Sequence, residues 1–167
     1  MINNINRIED VLGLLGGAVP EVFETMLTMH AMPAQPGNLQ ALDGSCVTGS
    51  AGFIGEVSAL VSIHVTPAFA RSLAGRMLGI AEEDFDGDEM INDAIAELSN
   101  MVVGAVKSRL CDDGLPCALT LPTVARGGGF RAATADSPDR RLLVFRCGVD
   151  QLVVELLMTP SNVICHK

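Results

Sequence analysis

Three features of this sequence predict an α+β fold, an antiparallel β-sheet with long α-helices packed on it. From Asp86 to Cys111, apolar residues recur at three- and four-residue steps, as one long amphipathic helix requires. Two pairs of strand-like runs, Cys46–Phe53 with Gly55–Val65 and Leu142–Cys147 with Leu152–Met158, are each joined by a short Gly-containing turn, as in hairpins. The elements follow in the order helix, two strands, helix, helix, three strands. A length of 167 residues suits one domain, spanning 1–167, with residues 1–17 as an extra N-terminal helix.

Composition narrows the function. Hydrophobic residues are 49% and charged residues 19% of the chain, which describes a globular protein and not a disordered one. A net charge of −9 argues against nucleic acid, whose phosphates need clustered Lys and Arg. Much of the acid lies in one run, Glu82, Glu83, Asp84, Asp86, Asp88, Glu89, Asp93 and Glu97. It reads as a solvated loop with a first helical turn, or as an acidic rim for a basic partner. The 5 cysteines show no paired spacing, and no signal peptide or membrane-length apolar run is visible. Reduced thiols in a cytoplasmic protein, with no membrane partner, are the expectation.

Along the chain, residues 3–15 form a first helix with Ile5, Ile8, Leu12 and Leu15 on one side. Gly16-Gly17 interrupts it, and Pro20 opens a second helix to about Met29. Residues 33–44 form a loop rich in Pro and Gly. The first hairpin turns between Gly52 and Gly55, and its second strand alternates through Val57, Ala59, Val61, Ile63 and Val65. Thr66-Pro67 caps a helix that ends near Gly79. Asp86 and Glu89 are placed for a capping box at the start of the long helix. Lys107 and Arg109 suit its last turn. After the turn at Asp112-Asp113-Gly114, Cys117–Arg126 is strand-like, with Pro122 marking an edge or a bulge. Residues 131–141 are a polar connection into the second hairpin, which turns around Gly148-Val149-Asp150.

The long helix carries Ile91, Ala94, Ile95, Leu98, Met101, Val102, Ala105 and Val106 on its apolar side. Opposite them, Asp93, Glu97, Asn100 and Gly104 fall in a row at steps of four, three and four. Asn and Gly are poor mid-helix residues, with Gly costing about 1 kcal/mol against Ala. The pattern alone leaves two readings open. The row is an ordinary solvated face with Gly104 packed under a neighbour, or it is a face kept for a partner.

Familiar chemistries are missing. Gly127–Gly129 lacks the phosphate-loop pattern and leads into a polar segment instead of a helix. No Cys is followed six residues later by Arg, and there is no G-x-S-x-G elbow. His30, His64 and His166 show no metal-ligand spacing, so no metal site is expected. Cys111 and Cys117 flank a turn and could meet, although two reduced, partly buried thiols fit better.

The stretch NDAIAELSNMVVGAVKSRL resembles the phosphatase helix of the CheC/CheX/FliY family of chemotaxis phosphatases. The family's E-x-x-N signature matches Glu97-Leu98-Ser99-Asn100, and Gly104 is the small residue that follows. VPEVFETMLTMHAM resembles the first helix of the CheX branch, LPTVARGGGF the segment after the phosphatase helix, and LLVFRCGVDQLVVELLM the closing strand pair. A second E-x-x-N near the start is absent, because Glu21 has Glu24 three residues on. The resemblance implies a pseudo-duplicated CheC/CheX-like fold with one motif, and a homodimer joined through sheet edges. It implies hydrolysis of the aspartyl phosphate of a CheY-type response regulator in chemotaxis or another two-component pathway. Asn100 would then orient the attacking water and Glu97 would pair with the receiver's lysine, with Asp93 and Gly104 at the partner surface. No cofactor of its own is implied, since the receiver supplies Mg2+. The rival reading is a non-catalytic interaction protein of the chemotaxis or flagellar switch machinery with the same fold.

Overall fold

In chain order the elements are α1 (Arg7–Leu27), β1 (Met32–Ala34), α2 (Ala41–Gly44), β2 (Val47–Gly55), β3 (Ala59–Val65), α3 (Pro67–Leu78), α4 (Glu89–Asp112), β4 (Cys117–Leu119), β5 (Thr123–Arg126), β6 (Arg140–Cys147) and β7 (Asp150–Met158). The computed structural model describes residues 7–36, 41–130 and 138–159. The expectations for Ile5, loop residues 37–40, the polar connection over 131–137, Cys165 and His166 lie outside the described residues. One 7-stranded sheet runs β1-β6-β7-β3-β2-β4, and β5 also pairs with β2. Its pairings are antiparallel. The order reads alike from either edge. Two hairpins, β6–β7 and β2–β3, meet at the centre, and short strands flank them outside.

Helix α4 lies on the sheet over β2, between α1 and α3. Its buried residues are Ile91, Ala94, Ile95, Leu98, Ser99, Val102, Val103, Val106 and Leu110. Burying one such Leu or Val stabilises by about 1.5–3 kcal/mol. The stripe is turned slightly from the expected one, since Ser99 and Val103 are fully buried while Met101 and Ala105 are only half-buried. Gly49 of β2 accounts for the turn. A Cβ there would sit 2.3 Å from Ser99 Oγ and 2.8 Å from Ile95 Cγ2, so only glycine admits the helix this closely. Ser99 tolerates burial because its hydroxyl donates to Ile95 O at 2.9 Å.

Four local expectations are corrected. First, α1 is a single helix running through Gly16, Gly17 and Pro20. Val11, Leu15, Ala18, Val19, Val22, Phe23 and Leu27 bury one continuous stripe across the interruption. Packing on α4 outweighs the roughly 3 kcal/mol that an interior Pro costs. The ion pair between Arg109 of α4 and Glu21 ties the two helices, and a Cβ on Gly17 would lie 2.9 Å from Arg109 Nη1. Second, there is no Asp86–Glu89 capping box, because α4 starts at Glu89 and its cap residue Asp88 makes no side-chain cap bond. Gly87, at φ +80°, turns the chain just before it. Third, the first hairpin turns at residues 56–58, beyond the expected Gly52–Gly55. Gly52 sits inside β2, where a Cβ would lie 2.6 Å from Ala59 O. Fourth, the expected loop of residues 33–44 contains β1 and α2, because β1 closes the sheet edge on β6.

Other local readings hold. Thr66 Oγ1 accepts from Phe69 N at 3.1 Å, and Gly79 ends α3 in the left-handed conformation. Cys117–Arg126 is broken into β4 and β5 at residues 120–122, around Pro122. Cys46, Cys111, Cys117 and Cys147 are free thiols. Burial, then the neighbouring Cys111 thiol, raises the pKa of Cys117. Burial, then Asp150, pushes Cys147 to about 11.

The sheet face away from α1, α3 and α4 carries a small second core of Leu42, Cys46, Phe130, Val144 and Val153. Gly129 lets Phe130 cross under α2, since a Cβ there would meet Asp43 O at 1.9 Å. Phe130 stacks at a tilt on His64, with ring centroids 4.7 Å apart. His64 Nδ1 lies 2.8 Å from Thr48 Oγ1, and its Nε2 is 3.9 Å from Glu155 Oε1. Arg140 Nε donates to Glu155 Oε2 at 2.6 Å. Glu155 is held below the carboxylate value of 4.5, first by the His64 ring directed at it, then by Arg140, with burial pulling the other way.

Two predictions follow from this packing. Gly49→Ala should destabilise by about 1–3 kcal/mol in urea unfolding, and adding Ser99→Ala should recover part of the loss. Because the folded pKa of Glu155 is lowered, its contribution is present above the unfolded pKa and lost as pH falls through the folded one. Glu155→Gln should therefore lower stability by about 1–3 kcal/mol at pH 7, with the two unfolding curves converging in acid below the carboxylate pKa.

Candidate functional site

The outward row on α4 forms as its spacing requires. With the sheet-facing stripe buried, Asp93 and Glu97 are exposed and Asn100 and Gly104 are half-buried. The row runs for about 16 Å along the axis at 1.5 Å per residue. Among the described residues, the side chains of Asp93, Glu97 and Asn100 make no hydrogen bond or ion pair with the rest of the chain. Glu9, Glu21, Glu24, Asp88 and Glu155, by contrast, each face a cationic or histidine partner.

Gly104 is not packed under a neighbour. A Cβ there would meet only Leu119 Cδ1, at 4.0 Å, an ordinary contact. Among the described residues nothing demands glycine at this position, in contrast to Gly49. Alanine would fit and would favour the helix.

The row is bordered on one side by the β4–β5 edge. Leu119 lies beside Gly104 at one end. At the other end Arg126 of β5 donates from Nε to Asn92 Oδ1 at 2.5 Å and faces Asp88 Oδ2 at 3.5 Å. These contacts tether the first turns of α4 to the sheet edge. Between them the strand is broken at residues 120–122, where Gly52 N donates to Thr120 Oγ1 at 2.9 Å and Thr120 N to Gly52 O at 2.8 Å. Leu121 in that break is 89% exposed. Sequence reasoning read Pro122 as a bulge or edge and did not connect it to the helix. Nothing in the period of a helix or a strand signals which strand will lie beside it.

Chemically, the row offers a carboxylate, which only accepts hydrogen bonds, and an amide, which both accepts and donates. It has no nucleophile paired with a base. Among the described residues, no group of three or more His, Cys, Asp and Glu could hold a metal ion, and no helix is long and apolar enough to cross a membrane.

Comparison with known proteins gives the family and the fold. The family model for the chemotaxis phosphatase CheX matches residues 47–145, which include the β2–β3 hairpin, α3, α4 and most of β6. The CheX structure from Vibrio vulnificus superposes with a TM-score of 0.74 at 20% identity, over 92% of this chain and 99% of that one. CheX from Desulfovibrio desulfuricans gives 0.71 at 21% identity, over 90% and 99%. A complex of CheX with CheY, BeF3 and Mg2+ from Borrelia burgdorferi gives 0.71 at 20% identity, over 90% and 99%. At such identities these likenesses establish the fold. No curated protein matches the sequence.

Proposed function

The chain belongs to the CheX family of chemotaxis phosphatases, and on that premise we propose that it hydrolyses the aspartyl phosphate of a CheY-type response regulator through Asn100 and Glu97. One observation carries the residue assignment. A half-buried asparagine in mid-helix has an amide with no partner in the described chain, one turn from an exposed carboxylate that also has none. Asn100 costs the helix propensity, and neither side chain is tied to the described fold.

The reaction suits so sparse a site. An acyl phosphate is an activated leaving group, and phosphoryl transfer asks chiefly for positioning and electrostatics. The water oxygen forms the new bond to phosphorus as the bond to the receiver's aspartate oxygen breaks. The products are a free carboxylate and inorganic phosphate. Asn100 accepts from and donates to that water and holds it in line, an entropic contribution. Glu97 acts as neither general acid nor general base in this scheme. It pairs with a lysine of the receiver and fixes the register of docking. Asp93 adds to the same acidic surface, and Gly104 lets the partner's backbone approach. Divalent metal comes with the receiver, as the Mg2+ in the relative's complex suggests.

Three variants test this reading against a panel of phosphorylated receiver domains. Asn100→Ala should lower the acceleration of phosphate release about 100-fold or more while the melting transition stays cooperative and unshifted. Loss of cooperative melting would make Asn100 structural and remove the mechanism. Glu97→Lys should weaken binding to a beryllofluoride-loaded receiver at low salt by at least about fivefold, or roughly 1 kcal/mol. Gly104→Ala should raise stability by about 0.5–1 kcal/mol yet slow turnover, a split expected only where the glycine serves a partner. Detectable binding with no acceleration by the wild type would favour the interaction-protein reading instead.

A further inference from the structure

Leu121 stands out once the edge beside α4 is followed residue by residue. Two contacts fix how the strand runs along the helix, Leu119 beside Gly104 and Arg126 on Asn92. Strand and helix run antiparallel here, Leu119 to Arg126 beside Gly104 to Asn92. Leu121 falls between those two contacts, two residues on from Leu119, on the edge that borders the row. The pairing of β2 confirms an extra residue at this point. Phe53 pairs with Leu119 and Ser50 with Thr123, so three steps on β2 face four on its partner. Such a bulge interrupts the ladder and re-aims side chains, and bulges are over-represented next to active sites. Its cost is met locally by Thr120, which bonds Gly52 through both backbone and hydroxyl. What the bulge presents is a leucine, 89% exposed, with Leu119, 40% exposed, next to it.

We propose that Leu121, supported by Leu119, is an apolar docking contact for the phosphorylated receiver, meeting an apolar patch beside the receiver's phosphorylated aspartate. This rests on the phosphatase reading above. The occupant is argued from continuity and chemistry. The polar row supplies orientation through Asp93 and Glu97, and interfaces of that kind draw their affinity from adjacent desolvated apolar anchors. A second copy of the chain fits less well. Pro122 offers no N–H, and the bulge breaks the ladder that edge-to-edge pairing would need. The exposed leucine is thus read by its side chain and not by backbone pairing.

The test uses the full chain and a receiver on which the wild type is active. Leu121→Asp and the uncharged Leu121→Ser are measured for KM, kcat, binding to the beryllofluoride-loaded receiver, melting and oligomeric state. Expected are a tenfold or larger rise in KM for Leu121→Asp, a smaller rise for Leu121→Ser, weaker binding to match, and kcat within twofold of the wild type with melting unchanged. Asn100→Ala in parallel should show the opposite split, lost kcat with binding retained. KM values within twofold of the wild type for both leucine variants would overturn the inference while leaving the phosphatase intact. A changed oligomeric state with unchanged KM would overturn it in favour of a second copy. Wild-type protein that neither binds nor dephosphorylates any receiver would overturn the phosphatase reading and this inference together.

Discussion

The close seat of α4 on β2 at Gly49 is the constraint on which the rest of the architecture depends. The helix approaches until Ser99 and Ile95 lie where a side chain of residue 49 would be. That contact fixes rotation about the helix axis as well as distance. With Ser99 pointing at the sheet, the opposite side of the helix is determined, and Asp93, Glu97, Asn100 and Gly104 face outward together. A bulkier residue at 49 would have to be accommodated by lifting or rolling the helix, because protein interiors transmit volume changes instead of absorbing them. Arg126 and the Arg109–Glu21 pair then hold the two ends against β5 and α1.

Glycine plays two opposed parts along this helix. Gly49 is required by the chain's own packing, as are Gly52 and Gly129 at their crossings. Gly104 is required by none of the described residues. The same contrast separates the carboxylates. Glu155 is enclosed in a polar chain with Arg140 and His64 on the far sheet face, whereas Glu97 faces solvent. Residues that serve the fold and residues held apart from it can thus be distinguished by whether their neighbours account for them.

Much of the fold could be read from the sequence wherever local rules and tertiary packing agree. The α4 stripe, the Thr66 and Gly79 caps of α3 and the Gly148 turn of β6–β7 are of that kind. Reading failed where packing overrides a local signal. Gly16-Gly17 and Pro20 look like a break, but Val19, Val22 and Phe23 continue the stripe of Val11 and Leu15 into the same core. Ser99 looks polar and exposed, yet its hydroxyl is satisfied by its own helix, so it can be buried. The Asp93–Gly104 row was legible because helical period alone places it. The edge beside it was not, because Leu119 reaches Gly104 only through the pairing of β4 and β5 with β2.

Helix α1 touches β6 and α4 packs over β2, so each half of the near-symmetric strand order carries a helix, although α4 is the one seated closely on the sheet. Among the described residues, α4 presents an acid and an amide without internal ties, while Glu21 on α1 is committed to Arg109. The outward row adds nothing to the core that holds the helices down. Substitutions in that row would change the chemistry proposed for it and leave the buried stripe of α4 as it is.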